Sequence, residues 1–274
     1  MVGLTSMEKS YLPLIILGGG FTGKVIYRQA VKEHRKVLIT SRSPQLHLQS
    51  IPENDQIFFD LEKVDSWNLL PEKGEGIWCF PPSPVNQVKR FIDNKGGLFQ
   101  RLVVIGSSSA YQVDPKEGVV TVDERSPIHL TDPRVEGEEL LRKRLSAIIL
   151  RSAGIYGRGR NPLDWLRQGR LKKGTRYLNL IHVEDLATLC LMTLEKGIPG
   201  EIYNVSDGNP YKTSDLIETA RNRWNIPLPP LSTDSDPGKK VSNHKIVSLL
   251  DYAFQFPDLF QALDRIQKES SSEQ

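Results

Sequence analysis

A chain of 274 residues, 38% hydrophobic and 25% charged, suits one large domain or two fused ones and has the composition of a soluble globular protein. Its 36 basic and 33 acidic residues nearly cancel without forming a Lys/Arg stripe, which argues against nucleic acid as the main partner. No apolar run approaches the ~20 residues that span a bilayer, and Cys79 and Cys190 stand far apart in apolar stretches, as buried free thiols of a reducing, cytoplasmic compartment would.

Residues 1–12 lack a secretory apolar segment and read as a loose N-terminal extension. Apolar runs then follow at 14–17, 36–40, 56–59, 76–80 and 102–105, each with the length and continuous apolarity of a strand covered on both faces. Helical spacing fills two of the gaps: Val25, Ile26 and Ala30 within 21–33, and Val88, Phe91 and Ile92 within 85–99. Strand alternating with helix predicts a Rossmann-type, doubly wound parallel α/β sheet with right-handed crossovers. Further helices are expected over 133–145 and 183–196, and further strands over 147–150 and 202–205.

The rhythm breaks at 156–176, where Pro162 is placed to open a short helix, and again after Ser206, where a helix over 213–224 precedes the run IPLPPL. These two stretches predict a small C-terminal substrate lobe closing over the sheet. The expected division is 13–155 with 176–205 for the dinucleotide-binding domain and 156–175 with 206–265 for the lobe. Residues 266–274, rich in polar groups, read as a disordered tail.

The first strand runs into Gly18-Gly19-Gly20-Phe21-Thr22-Gly23. A G-x-G-x-x-G pattern that follows a strand and opens a helix has the context of a dinucleotide turn rather than of a flexible bend. Gly18 permits the tight turn, Gly20 lets the backbone approach a pyrophosphate, and Gly23 lets the helix pack on the strand. With Phe21 and Thr22 they form a helix N-terminus whose unpaired N–H groups suit phosphate. NAD-binding chains end the second strand, about twenty residues on, with a carboxylate for the ribose 2′-OH. Here that strand ends in Ser41-Arg42-Ser43, and the Arg42 fork with the two flanking hydroxyls predicts NADP(H) over NAD. Asp60 and Leu61, after the third strand, are expected beside the adenine. Phe80, Pro81 and Pro82, after the fourth, are expected along the cofactor's middle.

Beyond this turn the chain carries Val104-Ile105-Gly106-Ser107-Ser108-Ser109-Ala110-Tyr111, Asp123-Glu124-Arg125-Ser126-Pro127 and Leu150-Arg151-Ser152-Ala153-Gly154-Ile155-Tyr156-Gly157. Ile181-His182-Val183-Glu184-Asp185-Leu186, Tyr203-Asn204-Val205-Ser206-Asp207 and Val241-Ser242-Asn243 follow. In this order and spacing they resemble the NAD-dependent epimerase/dehydratase family, the extended and atypical branch of the short-chain dehydrogenase/reductase superfamily, over roughly 14–263.

The resemblance implies chemistry that rests on a Ser or Thr together with Tyr and Lys spaced Y-x-x-x-K on one helix. The lysine and the cofactor ribose depress the tyrosine's pKa so that it exchanges a proton while hydride moves, and the serine orients the reacting oxygen. Ser107 matches the serine. Aligned on Pro133, Arg134 stands in the tyrosine's place and Glu138 in the lysine's. Arginine stays protonated near neutrality and cannot shuttle a proton. An i, i+4 ion pair between the two, or a hold of Arg134 on a phosphate, is expected instead.

Tyr111 and Tyr156, whose family role is structural, and His129, before the altered helix, are the alternative proton donors, whereas His182 reads as a packed histidine. By resemblance Ser108, Tyr156, Arg158 and Arg160 border the substrate, the arginines suiting a phosphate or carboxylate. No metal is expected, since no histidine–carboxylate set has ligand spacing, and the lack of a G-x-S-x-G elbow leaves a hydrolase unsupported.

Two readings stay open. One is an NADP(H)-dependent oxidoreductase or epimerase on a small polar or sugar-derived substrate, with Ser107, Tyr111 and Arg134 as candidate catalytic residues. The other is an NADP(H)-binding sensor without turnover. A small-molecule substrate is the expected partner, without nucleic acid or membrane, and a homodimer is the assembly that the resemblance suggests.

Overall fold

In a computed structural model of the chain, which describes residues 12–171, 174, 176–227 and 237–271, all four residues of strand β1 (Leu14–Leu17) are fully buried. Leu14 and Ile16 pack on one face, Ile15 and Leu17 on the other. A strand apolar on both faces needs a layer over each, and the chain supplies both by alternation. The first half continues with α1 (Phe21–Lys32), β2 (Val37–Ser41), a short α2 (Pro44–His47), β3 (Gln56–Phe58), β4 (Gly74–Trp78), α3 (Val85–Lys95), β5 (Phe99–Ser107), β6 (Val120–Val122) and α4 (Pro133–Leu145). The second half comprises β7 (Ile148–Ser152), β8 (Gly154–Tyr156), α5 (Pro162–Arg167), β9 (Tyr177–Leu178), β10 (Leu180–His182), α6 (Val183–Lys196), β11 (Ile202–Val205), β12 (Tyr211–Lys212), α7 (Thr213–Trp224), β13 (Lys239–Val241), α8 (His244–Leu250) and α9 (Leu259–Ser271).

Seven strands form one parallel sheet in the order β11-β7-β5-β4-β1-β2-β3, the expected doubly wound Rossmann-type arrangement. The order reverses between β1 and β4, so a crevice opens over the carboxyl ends of those strands, where ligands bind in open α/β sheets. On one face Ile26 of α1, Leu186 of α6 and Ile246 of α8 meet Ile16, Ile77 and Val103. On the other, Phe91 of α3 and Leu141 of α4 meet Ile15, Trp78 and Val104. Phe91 is the hub there, edge-on to Phe59, Trp67 and Trp78 at 5.7, 5.3 and 5.6 Å between ring centroids. A separate apolar cluster joins α5, α7 and α9 through Leu163, Leu166, Leu216, Leu259 and Leu263.

Two expectations need correction. The helix expected over 85–99 stops at Lys95, because Gly96 and Gly97 disfavour its continuation, and β5 starts at Phe99, earlier than the apolar core of that strand. Residues 266–271 are not a disordered tail but the end of α9. Its Leu259, Ala262, Leu263 and Ile266 recur at helical spacing and are all buried, so the apolar stripe outweighs the polar composition around it. Residues 1–11 of the N-terminal extension, 228–231 of the IPLPPL run and 272–274 lie outside the described residues.

Both cysteines are free thiols, Cys190 buried and Cys79 half-buried, and burial pushes the Cys79 thiol up to about 12, away from thiolate reactivity.

Ile266→Ala should lower the unfolding free energy by about 2–5 kcal/mol in urea titrations, as truncation at a core position does. A change within about 0.5 kcal/mol would mark the end of α9 as surface.

Candidate functional site

The turn after β1 is shaped by backbone contacts that exclude side chains. Gly18 has φ 107°, a conformation that L side chains rarely adopt. A Cβ at Gly23 would overlap the Gly18 carbonyl oxygen, and one at Gly19 would overlap the Leu48 side chain. From β2, Thr40 pins the turn: the Gly18 N–H donates to its hydroxyl at 3.0 Å and the Gly19 N–H to its carbonyl at 2.6 Å. Gly20 differs from its neighbours, since a Cβ there would meet no atom within 4 Å. It is the N-cap of α1, with no side-chain cap and no acidic residue in the first turn, so the helix's leading N–H groups and partial positive charge are left to an incoming anion. These features fit a diphosphate.

Gly20 faces a cavity of about 1250 Å³. Of the residues expected on the cofactor, Gly18, Gly20, Phe21, Ser41, Arg42, Asp60, Leu61, Phe80 and Pro81 border it. Thr22 and Gly23 are buried behind the turn, and Pro82 borders a second cavity instead. The Ser41 hydroxyl accepts from the Ser43 N–H and lies 3.0 Å from His47 Nδ1, so these two serines fix the loop while the exposed Arg42 stands at the cavity wall with His47. Thr40, Leu48 and His47 were not read from the sequence; only the pairing of β1 with β2 brings the segment to the turn.

Phe80 and Pro81 also border the second cavity, of about 730 Å³, and so join the two end to end. Ser107, Ser108, Tyr111, His129, Arg134 and Arg160 border this second space, and Arg158 borders the first. Ser107 Oγ lies 2.9 Å from Ser109 Oγ, which accepts from Arg134 Nη2 at 3.3 Å. Asp132, the N-cap of α4, holds the same Arg134 nitrogen at 3.0 Å.

The expected pairing of Arg134 with Glu138 does not form. A Cβ at Gly137 would overlap the Pro82 carbonyl, so α4 lies hard against the loop after β4, with Glu138 turned toward the sheet beneath Gly106. There Glu138, 2% exposed, meets Arg151 Nε at 3.4 Å, and Arg151, 1% exposed, also meets Glu139 at 3.5 Å. Arg142 binds Glu139 from outside at 2.6 Å. Burial pushes the Glu138 carboxyl up, while Arg151 and the Ser107 N–H oppose that rise.

The tyrosine alternatives are also corrected. The Tyr111 hydroxyl donates to Asn204 Oδ1 at 2.6 Å inside the protein, and burial raises its pKa, the opposite of what a proton-shuttling tyrosine needs. Tyr156 borders neither cavity. It is fully buried in the cluster of α5, α7 and α9, edge-on to His182 at 5.1 Å, so it serves packing rather than substrate.

His182 is a packed histidine: burial lowers its pKa to about 4, its Nδ1 accepts from the Glu184 N–H, and its ring stacks on Phe256 at 3.6 Å. Sequence reasoning missed Asp185. Fully buried in the first turn of α6, it accepts from the Tyr252 hydroxyl and from the Gln255 and Phe256 N–H groups at 2.7, 2.8 and 3.1 Å. It thereby holds Phe256 on the wall of the first cavity. Among the described residues, no group of three His, Cys, Asp or Glu is placed to hold a metal, and no helix is long and apolar enough to cross a membrane.

No protein-family model matches the chain. Protein YeeZ of Escherichia coli K12 is 29% identical over 164 residues, 58% of this chain and 59% of YeeZ. dTDP-glucose 4,6-dehydratase of Escherichia coli is 23% identical over 215 residues, 76% of this chain and 50% of that enzyme. The matched stretches thus span little more than half the length of these relatives.

Solved structures match almost end to end. A protein described as an NAD-dependent epimerase/dehydratase from Methylobacillus flagellatus has TM-score 0.76 at 23% identity, over 96% of this chain and 100% of that one. A short-chain dehydrogenase/reductase superfamily protein from Agrobacterium tumefaciens with bound NAD has TM-score 0.77 at 14% identity, over 95% and 98%. The human epimerase family protein SDR39U1 with NADPH has TM-score 0.66 at 17% identity, over 94% and 99%. At these identities the likeness establishes the fold, which this chain shares with structures described as epimerase/dehydratase and short-chain dehydrogenase/reductase proteins.

One buried acid beside Tyr156 yields a pH prediction. Asp207 Oδ1 accepts from the Asn209 N–H at 2.9 Å, Oδ2 has no partner among the described residues, and burial pushes the carboxyl up to about 7. Between its ordinary value of 3.8 and about 7 the folded chain keeps a proton that the unfolded chain has released, so this group's contribution to stability falls as pH rises. Asp207→Asn should therefore raise the melting temperature more at pH 8 than at pH 4. An equal change at both values would contradict this assignment.

Proposed function

We propose that this chain is an NADP(H)-binding oxidoreductase or epimerase of the short-chain dehydrogenase/reductase type, acting on a small polar substrate. The observation that carries this reading is the glycine turn. It opens into a cavity with Arg42 where NAD binders place a carboxylate, and that cavity continues past Phe80 and Pro81 to the space bordered by Ser107. Solved relatives that carry NAD and NADPH support the dinucleotide, and Arg42 with His47 favours the 2′-phosphorylated form.

When bound, the nicotinamide supplies or accepts hydride. The chain's part is to hold the diphosphate on the first-turn amides of α1, to grip the 2′-phosphate with Arg42, and to orient the substrate oxygen with the Ser107 hydroxyl. Arg134, linked to Ser107 through Ser109, adds positive charge beside this part of the site without giving up a proton. The proton then comes from water or from His129, which is exposed and borders the same space.

A second reading, a dinucleotide sensor without turnover, draws support from one observation. Glu138 is sealed against Arg151 and the Tyr111 hydroxyl is bound to Asn204, so nothing at their positions replaces the usual Tyr/Lys pair.

Calorimetric titration should give tighter binding of NADPH than of NADH. Arg42→Ala should weaken NADPH about 10- to 100-fold, the worth of a charge-assisted hydrogen bond, and leave NADH nearly unchanged. Equal affinities in the native chain would remove the 2′-phosphate assignment. Across a panel of carbonyl substrates, NADPH oxidation that Ser107→Ala suppresses supports the enzyme, whereas no oxidation with any carbonyl, despite tight NADPH binding, supports the sensor.

A further inference from the structure

More cationic than acidic side chains border the second cavity. Among its described lining residues, Arg134, Arg160, Arg176 and Lys239 are cationic and His129 adds an imidazole, whereas Glu138 is the lone acid. That acid does not offset them, because Arg151 meets it from within the sheet, with both side chains buried. Lys239 donates to the Tyr111 carbonyl at 3.0 Å.

Two arginines are set to grip a ligand. Arg134 occupies the position at which the family's tyrosine would face the substrate. Asp132 braces its fork along one edge through contacts of its Nε and Nη2 at 3.4 and 3.0 Å, and Nη2 also reaches Ser109 at the cavity. Arg160 comes from the segment after β8, its guanidinium 5.7 Å from the Phe21 ring centroid, and no described carboxylate lies within ion-pair distance of it. Guanidinium forks recognise carboxylate and phosphate oxygens in preference to neutral hydroxyls.

We propose that the substrate of the second cavity bears a carboxylate or a phosphate monoester, gripped by Arg134 and by Arg160, with its reacting carbon beside Ser107. Arginine in the tyrosine's place is then a binding group, and a neutral sugar or alcohol is a poor ligand. This inference rests on the dinucleotide reading of the first cavity, which keeps that cavity for the cofactor.

The test is a calorimetric titration of the full chain saturated with NADP⁺, using inorganic phosphate and succinate as probes and glycerol as the uncharged control. Saturation keeps the probes from the glycine turn and Arg42. One of the two anions should bind with a stoichiometry of one while glycerol does not, and which anion binds separates a phosphorylated from a carboxylated substrate. Arg134→Gln and Arg160→Gln should each weaken that anion about 10-fold or more, Arg134→Lys should recover part of the loss, and NADP⁺ affinity should stay unchanged in the two Arg134 variants.

Failure of both anions to bind the loaded chain, or binding that neither glutamine variant alters, would overturn the proposal. If NADP⁺ itself does not bind, the dinucleotide reading fails separately. Anion binding to the unloaded chain that is lost in Arg134→Gln but kept in Arg42→Ala would still support the anion site.

Discussion

Everything at the switch point depends on how closely α1 approaches β1, and that distance is set where Gly23 rests on the Gly18 carbonyl with no room for a side chain. The contact aims the first turn of α1 at the gap between β1 and β4. Thr40 then ties the turn to β2 with two hydrogen bonds, so three elements meet at one fixed point. Uncapped amides, the open side of Gly20 and the cationic end of β2 consequently share one cavity. A preorganised anion cradle of this kind has little of its own ordering left to supply when the ligand arrives.

Further along the cleft Arg134 and Glu138, which the resemblance sets where the family has Tyr and Lys, are drawn to different partners. Glu138 turns into the sheet beneath Gly106 and meets Arg151, so it supports the strand that carries the serine. Its charge is matched by Arg151, which Glu139 and Arg142 extend into a chain of alternating sign. Such a network is sensitive to the loss of one member, because removing a partner leaves a buried charge uncompensated at about 3–5 kcal/mol. The pair therefore locks α4 to β7, while Arg134, on the same helix, borders the cavity.

Features that depend on local chain geometry could be read from the residues alone. The apolar runs gave the sheet, the glycine spacing gave the turn, and the missing carboxylate with Arg42 gave the charge at the end of β2. Features set by long-range packing could not. Arg134 and Glu138 have the spacing of an ion pair, but Asp132 and Arg151, which win them instead, are distinguishable only once α4 lies between β5 and β7. Tyr156 sits in a motif that borders the cleft, yet the arrangement of α5, α7 and α9 draws its ring inward. The apolar stripe of α9 was visible, but its polar neighbours masked it, since composition averages over faces that a helix separates. Asp185 gave no sign that it would hold a segment far along the chain.

Gly20 allows the central claim to be tested apart from folding. Its φ of −79° suits any residue and a Cβ there touches no protein atom, so Gly20→Ala should leave the melting temperature unchanged. The same methyl group would project into the space assigned to the diphosphate. Calorimetry on native and Gly20→Ala chains should therefore show NADPH binding to the first and a loss of at least about 10-fold, one and a half kilocalories or so, in the second. Undiminished binding in a normally folded Gly20→Ala chain would contradict the account.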